Sequence, residues 1–400
     1  MEPQPISADE VPDFITAVQT AFHADPPPEL IENVRRVLEP ERTLVLREDG
    51  RIVAATGIYS RRLGVPGGEV PVAGVTQVGV RPTHRRRGLL TTLMRRQLAD
   101  VCEAGREAVA ALWASESTIY GRFGYGYATQ SAEIEVRRDL ARLRTAAPAA
   151  AVELTTPAEA IPAMREIHDV VRRDRPGMLD RAGAWWDLRI DDYEPHRGGA
   201  SALRAAVVDG DAYALYAVKL RFEGGRADSL VRVREVMAGS PAGATAIWGY
   251  LLGLDLTTRL TYDLAPPDEP LTHLVTDARA VTTRIGDGLW IRLVDLSRAL
   301  VERAYREPFE VVLEVADDVC PWNAGRWALR WDGTTADCAR TSLPPALALG
   351  AADLGAAYLG GTTLDVLARA GRVQELRSGA AAAASRAFAG DRAPWCPEIF

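Results

Sequence analysis

"TQVGVRPTHRRRGLLTTLMRRQL", Thr76 to Leu98, decides how this chain is read. A β-rich run stops at Arg81–Pro82. Three consecutive arginines, Arg85, Arg86 and Arg87, then stand before Gly88, and an apolar-periodic segment starts at Leu89. Leu90, Leu93, Met94, Gln97, Leu98 and Val101 recur at three- and four-residue spacing, the period of a helix with one buried face. The order is strand, basic turn, helix. A helix's first turn carries backbone N–H groups with no intrahelical partner, and the macrodipole adds partial positive charge there. Such a place binds phosphate oxygens. Gly88 lets the backbone approach closely in a conformation that other residues avoid, and arginine forks suit phosphate. The stretch predicts a site for a polyanion such as a pyrophosphate. No Gly-Lys-Ser/Thr occurs, so it is not a Walker loop, and the glycine spacing of a dinucleotide fingerprint is absent.

On its N-terminal side, "TLVLREDGRIVAATGIY" reads as two strands around an Asp49–Gly50 hairpin turn, and "GGEVPVAGVTQVGVRP" as a further strand up to Pro82. Gly79 inside that strand marks a bulge or a close backbone approach. On the C-terminal side come a short strand near Val109 to Ser115, a brief helix-turn in "ESTIYGRFGYG", and an alternating strand, "SAEIEVRR". Residues Arg144 to Ala163 are rich in Ala, Pro and Thr and read as a domain junction. Beyond it, a helix containing "AMREIHDVVRR", the strands "AYALYAVKL" and "LVRVREVMAG", and the helical "AGATAIWGYLLGLDL" echo the first arrangement. "GSPAGA" stands where "HRRRGLL" stood, so the second copy is expected to be inactive. From about Leu296 the pattern changes. "EPFEVVLEVADDVCPWNAGRWALRWDG" reads as a hairpin-rich sheet, while "PPALALGAADLGAAYLGG", "TTLDVLARAG" and the Ala380–Ala384 run read as helices. The expected segments are 1–143, 144–295 and 296–400.

The totals bound the function. A chain of 400 residues exceeds what one hydrophobic core usually serves. Its net charge of −7 argues against nucleic acid as a partner and suits cationic small molecules. No apolar run is long enough to span a bilayer and the first residues carry no signal pattern, so the expectation is a cytoplasmic protein that does not engage a membrane. Cys102, Cys320, Cys338 and Cys396 lack metal-ligand spacing, so reduced thiols and no bound metal are expected.

Arg85-x-x-Gly88-x-Leu90 resembles the acetyl-CoA loop of the GNAT acetyltransferases, Gln/Arg-x-x-Gly-x-Gly/Ala, except at Leu90. "YGRFGY" (Tyr120 to Tyr125) is similar to that family's Tyr-x-x-x-Gly-Phe/Tyr segment. With "ASESTIYGRFGYG" and a chain ending in Phe400, the sequence is identified as a member of the enhanced intracellular survival (Eis) subgroup, and the resemblance covers essentially the whole chain. It implies an α+β/α/β protein in three parts: a GNAT domain, a degenerate GNAT-like domain and a sterol-carrier-like domain. It also implies an acetyl-CoA-dependent N-acetyltransferase in which the amine attacks directly in a ternary complex. The acceptor is expected to be a small-molecule amine of the aminoglycoside or polyamine kind, and the assembly a homohexamer.

The same resemblance assigns candidate residues. Val78, Gly79, Val80, Arg85, Arg86, Arg87, Gly88, Leu89, Leu90, Thr91, Ser115 and Glu116 are expected to hold acetyl-CoA, with the Val78 and Val80 backbone pairing with the pantetheine arm and the Val78 N–H facing the developing oxyanion. Tyr120 is the candidate acid; a phenol of reference pKa ~10 can protonate a nascent thiolate. Taken by itself, Tyr120 reads better as a half-buried tyrosine of an aromatic turn with Phe123, Tyr125 and Tyr127, and the family pattern is what favours the acid. The resemblance makes the Phe400 α-carboxylate the base. "PWCPEIF" is compact and apolar, unlike the frayed ends of most chains. An α-carboxylate of reference pKa roughly 3.5 is a poor base in water, and burial raises such a value. Asp25, Glu398, Trp185 and Trp186 are the candidate substrate residues, although paired tryptophans more often serve a core. Two rival readings stand beside this one: a protein-lysine acetyltransferase, and a lipid-carrying or scaffolding protein built on the C-terminal domain.

Overall fold

The computed structural model describes residues 1–145, 152–208 and 210–400, so the early part of the expected junction, 146–151, lies outside the described residues. The chain forms two compact units: Met1–Thr129, Gly288–Pro394 and Ile399–Phe400 in one, Gln130–Asp287 and Trp395–Glu398 in the other.

The first unit is built on a six-stranded sheet. Strands β1 (Leu44–Glu48), β2 (Arg51–Val65) and β3 (Gly68–Val80) form an antiparallel meander. Asp49 and Gly50 close the first hairpin with positive φ at both residues, as a two-residue turn of that kind requires. β4 (Val109–Trp113) runs parallel to β3. The strand Leu289–Leu293 lies between β4 and β5 (Gly126–Tyr127). Helices α1 (Val11–Ala21) and α2 (Pro28–Arg35) precede the sheet in sequence. Helix α3 (Leu89–Ala104) buries Leu89, Leu93, Met94, Gln97, Leu98 and Val101, and α4 is the single turn Ser117–Tyr120. The periodic face of α3 is therefore the one read from sequence, with one exchange: Leu89 is buried and Leu90 only half-buried.

The first unit also holds a five-stranded sheet, with Phe309–Ala316 at its centre between Gly325–Trp331 and Leu347–Gly350. "ALALG" in that last strand was expected to be helical. It is instead a parallel partner of Phe309–Ala316, with Leu347 opposite Leu313, and the helix starts only at Ala351. Its leucines are buried by a sheet contact, a tertiary effect that no local period reveals.

The second unit carries a seven-stranded sheet whose centre is the parallel pair Ser229–Ala238 and Thr257–Ala265. The helix Pro157–Arg173 starts with a capping box between Thr156 and Glu159, and Pro241–Gly253 starts on a Ser240 cap. The sheets do not follow the linear segments. Gln130–Arg137, inside segment 1–143, pairs in the second sheet, and Leu289–Leu293, inside segment 144–295, pairs in the first. Alternating burial alone cannot say which sheet takes a strand.

Candidate functional site

The site begins where two strands part. β3 and β4 pair from Val72–Val109 to Gly74–Ala111 and no further, although both strands continue. On its other edge β3 bulges against β2. Ala55 faces Gly79 and Gly57 faces Thr76, so Gln77 and Val78 together oppose Thr56. Gln77 takes φ +53 there. The bulge thus falls at Gln77–Val78 rather than at Gly79. Gly79 serves close approach instead: a Cβ on it would sit 3.0 Å from Cβ of Ala21 on α1.

β3 leads into the arginine loop. A 3₁₀ turn at Pro82–His84 is followed by Arg86 at φ +63 and Gly88 at φ +79. Gly88 is the N-cap of α3 and offers no side chain to the first-turn amides, so those amides keep their donors for a ligand. A cleft of about 700 Å³ opens here, lined by Val78, Gly79, Val80, Arg85, Arg86, Gly88, Leu89, Leu90, Thr91, Ser115, Glu116 and Tyr120 among others. The three arginines are not equivalent. Arg85 donates from Nη2 to the carbonyl of Ala21 at 2.8 Å, tying the loop to the end of α1. Arg87 turns to Glu48 and the Thr83 carbonyl and does not line the cleft. Arg86 carries no hydrogen bond or ion pair among the described residues. His84 lines the cleft with its ring nitrogens bonded to Thr83 and Glu48.

Tyr120 ends α4 and is 4% exposed. Burial pushes its phenol up to about 12, against a hydrogen bond with Ser115 and with a small added push from Glu116. Its ring meets that of Tyr125 edge-on, with centroids 6.1 Å apart. Tyr120 also lines a second cavity, of about 300 Å³, together with Phe400, Thr76, Gln77, Trp113 and the α1 residues Val18 and Gln19. Phe22, Val78, Ser115 and Tyr120 line both spaces. The Phe400 ring rests on Gly74, the last paired residue of β3 before the strands part. Sequence reasoning missed Phe22 and Trp113. Each sits in a stretch with no motif and reaches the site through the packing of α1 and β4.

The substrate candidates are placed elsewhere. Asp25 is exposed between α1 and α2. Trp185 is half-buried on the helix Ala184–Ile190, and Trp186 packs into the core of the second unit with Met164, Met178 and Trp395. Glu398 is 8% exposed and bonded to Arg181, which also grips Glu235 at 2.6 and 2.8 Å. Arg189 and the Tyr213 hydroxyl complete that cluster on Glu235, each at 2.7 Å. None of the four lines either cavity.

Residues 2–128 and 177–293 each match a model of the acetyltransferase (GNAT) domain, and 296–397 match the sterol carrier protein domain. An uncharacterized N-acetyltransferase of Streptomyces coelicolor is 41% identical over the whole of both chains. The N-acetyltransferase Eis of Mycobacterium bovis is 36% identical over 89% of each chain. The crystal structure of Eis1 from Mycobacterium abscessus superposes with a TM-score of 0.88 at 33% identity, covering 100% of both chains. The chain belongs to the Eis family of N-acetyltransferases. As an Eis-family protein it is an acetyltransferase enzyme with two GNAT domains and a sterol-carrier-like domain. Among the described residues no cluster of His, Cys, Asp and Glu could hold a metal ion, and no helix is long and apolar enough to cross a membrane.

The second GNAT domain of this Eis-family chain keeps the parted strands. Its parallel pairing ends at Val233–Tyr262, and Ser229–Ala238 bulges between Val233 and Glu235 against the strand Ala212–Lys219. The tail segment Trp395–Glu398 takes up groups near that parting. The Trp395 indole donates to the Leu264 carbonyl at 3.0 Å, and Glu398 reaches Glu235 through Arg181.

Proposed function

We propose that this enzyme transfers an acetyl group from acetyl-CoA to a primary amine of an aminoglycoside-like or polyamine acceptor, by direct attack in a ternary complex. The observation that carries the reading is that Tyr120 lines both the arginine-loop cleft and the cavity that holds Phe400. A cosubstrate held in the first space and an amine held in the second then meet at one phenol.

The residues fit the cosubstrate. Gly88 in its left-handed conformation leaves open space over the first turn of α3, and Arg86 has an uncommitted guanidinium to add to the amides of Leu89, Leu90 and Thr91. The bulge at Gln77–Val78 and the missing β4 partner leave backbone donors and acceptors of β3 for the pantetheine arm. Acetyl-CoA supplies an acyl group activated as a thioester. The Val78 N–H offers its hydrogen to the thioester oxygen as charge develops there. Tyr120 Oη stays protonated at neutral pH and holds the proton that the departing sulfur needs. The Phe400 carboxylate orients the amine and accepts its proton, directly or through water. No Asp or Glu stands among the lining residues of that cavity, which leaves the α-carboxylate of Phe400 as the candidate anion. We place the enzyme in the cytoplasm as a homohexamer, on the family resemblance.

A thiol-release assay over aminoglycosides, polyamines and lysine peptides tests the reading. Turnover of the small amines above the peptides supports it, and turnover of peptides alone transfers the enzyme to the protein-acetylating class. In the same assay Arg86→Ala raises the KM for acetyl-CoA and leaves that for the amine nearly unchanged. Equal effects on both would remove Arg86 from the phosphate site.

A further inference from the structure

The two parallel pairs, one in each GNAT domain, end alike but are dressed differently. In the first, the residues just past the last pair, Val75 to Val78 and Leu112 to Trp113, line a cavity that has no charged side chain among its lining residues. In the second, the residues around and just past the Val233–Tyr262 pair line a cavity of about 290 Å³. Its walls include Arg189, Arg197, Arg232, Arg234, Asp263 and Leu264.

Those arginines differ in how far they are already neutralised. Arg197 is paired with Asp192 at 3.0 Å, and the same carboxylate oxygen also accepts from the Leu203 amide at 2.8 Å. Arg189 shares Glu235 at 2.7 Å, and its Nε is buried with no hydrogen-bond partner. Arg232 and Arg234 have no ion pair among the described residues. Arg232 donates from Nη1 to the Arg197 carbonyl at 3.0 Å, and Arg234 from Nη1 to the carbonyls of Asp191 and Arg189 at 2.7 and 3.2 Å. Carbonyls orient these guanidiniums without cancelling their charge. Burial and the neighbouring Arg189 charge hold Arg234 below the usual arginine range, against the pull of Asp192, Asp191 and Glu235. Asp263, itself exposed, is the carboxylate of the lining with no ion pair among the described residues.

We propose that this cavity in the second GNAT domain is a binding site for a compact oxyanion, a phosphate, sulfate or carboxylate group, gripped by Arg232 and Arg234. An anion there uses the guanidinium donors that the carbonyls leave over, and it relieves the repulsion between Arg234 and Arg189. The volume admits an oxyanion together with a small organic body. The duplicated fold has then exchanged an amine-side pocket for an anion pocket at the corresponding place.

Titration calorimetry of the full chain at fixed ionic strength, with inorganic phosphate in one arm and citrate in the other, tests this. Binding of either is expected to survive Arg86→Gln, which strips charge from the loop of the first domain. It is expected to weaken at least ~10-fold in Arg232→Gln and in Arg234→Gln, with turnover unchanged within about twofold. Arg232 is exposed, so its variant remains informative if Arg234→Gln fails to fold. The arm that binds identifies the oxyanion. Binding of neither anion, or binding lost in Arg86→Gln and retained in Arg232→Gln, would overturn the proposal.

Discussion

A Cβ built on Gly74 would lie 3.2 Å from Cε2 of Phe400, so the last aromatic ring of the chain rests on the backbone of β3 where that strand loses its β4 partner. The same Cβ would lie 3.2 Å from the Tyr59 carbonyl. The ring's seat is therefore a glycine-sized gap.

Gly74→Ala fills that gap. The ring is the freer of the two neighbours and has to move, by a few tenths of an ångström or more. We expect kcat to fall roughly 10- to 100-fold, the cost of misplacing a reacting group by about 1 Å, with the KM for acetyl-CoA within about twofold of wild type. Steady-state kinetics on folded variant decides it. An unchanged kcat means that the position of the ring does not matter.

Tyr120→Phe removes one hydroxyl and keeps the ring packed against Tyr125. Loss of a positioned acid lowers kcat by roughly 10²- to 10⁴-fold, while CoA binding persists. The direction of the shift also fixes the pH profile. Burial raises the phenol to about 12, so the donor form persists far above neutrality. We expect the kcat of the wild-type enzyme to show no alkaline fall up to about pH 10. A fall centred near pH 8 would assign the acid to another group.

Glu235 anchors the second unit. Burial would raise its carboxyl, but Arg181 and Arg189 outweigh burial and hold it well below the usual carboxylate range. A depressed carboxylate contributes stability that is complete above its unfolded value and is lost as the pH falls through the folded one. Glu235→Gln leaves two buried guanidiniums short of charge, and we expect it to destabilise the protein by about 3–5 kcal/mol at pH 7. Denaturant melts of both proteins should converge as the pH drops below about 4.5. A difference that persists unchanged to pH 3 would mean that the charge of Glu235 is not what stabilises the unit.

Much of the catalytic domain was legible in the chain. Asp49–Gly50, the α3 period and the glycine before it are local signals, and local physics decides them. What stayed hidden was decided at a distance. The strand Leu289–Leu293 joins the first sheet from far along the sequence. The bulge falls on Gln77, which has no compositional mark, while Gly79 lies close against α1. Trp186 and Glu398 looked like pocket residues by type, yet the first fills a core and the second is bonded to Arg181. Sequence shows which side chains can do chemistry, whereas burial and pairing decide which of them face a cavity.

The central claim is that the Phe400 carboxylate shares one reaction cavity with Tyr120. Extending the chain by a single alanine after Phe400 moves that carboxylate by one residue and leaves Tyr120 and the arginine loop untouched. Comparing kcat and the Kd for CoA between the two chains tests the claim most directly. The account predicts a kcat lower by at least ~10²-fold with an unchanged Kd; an unchanged kcat would contradict it.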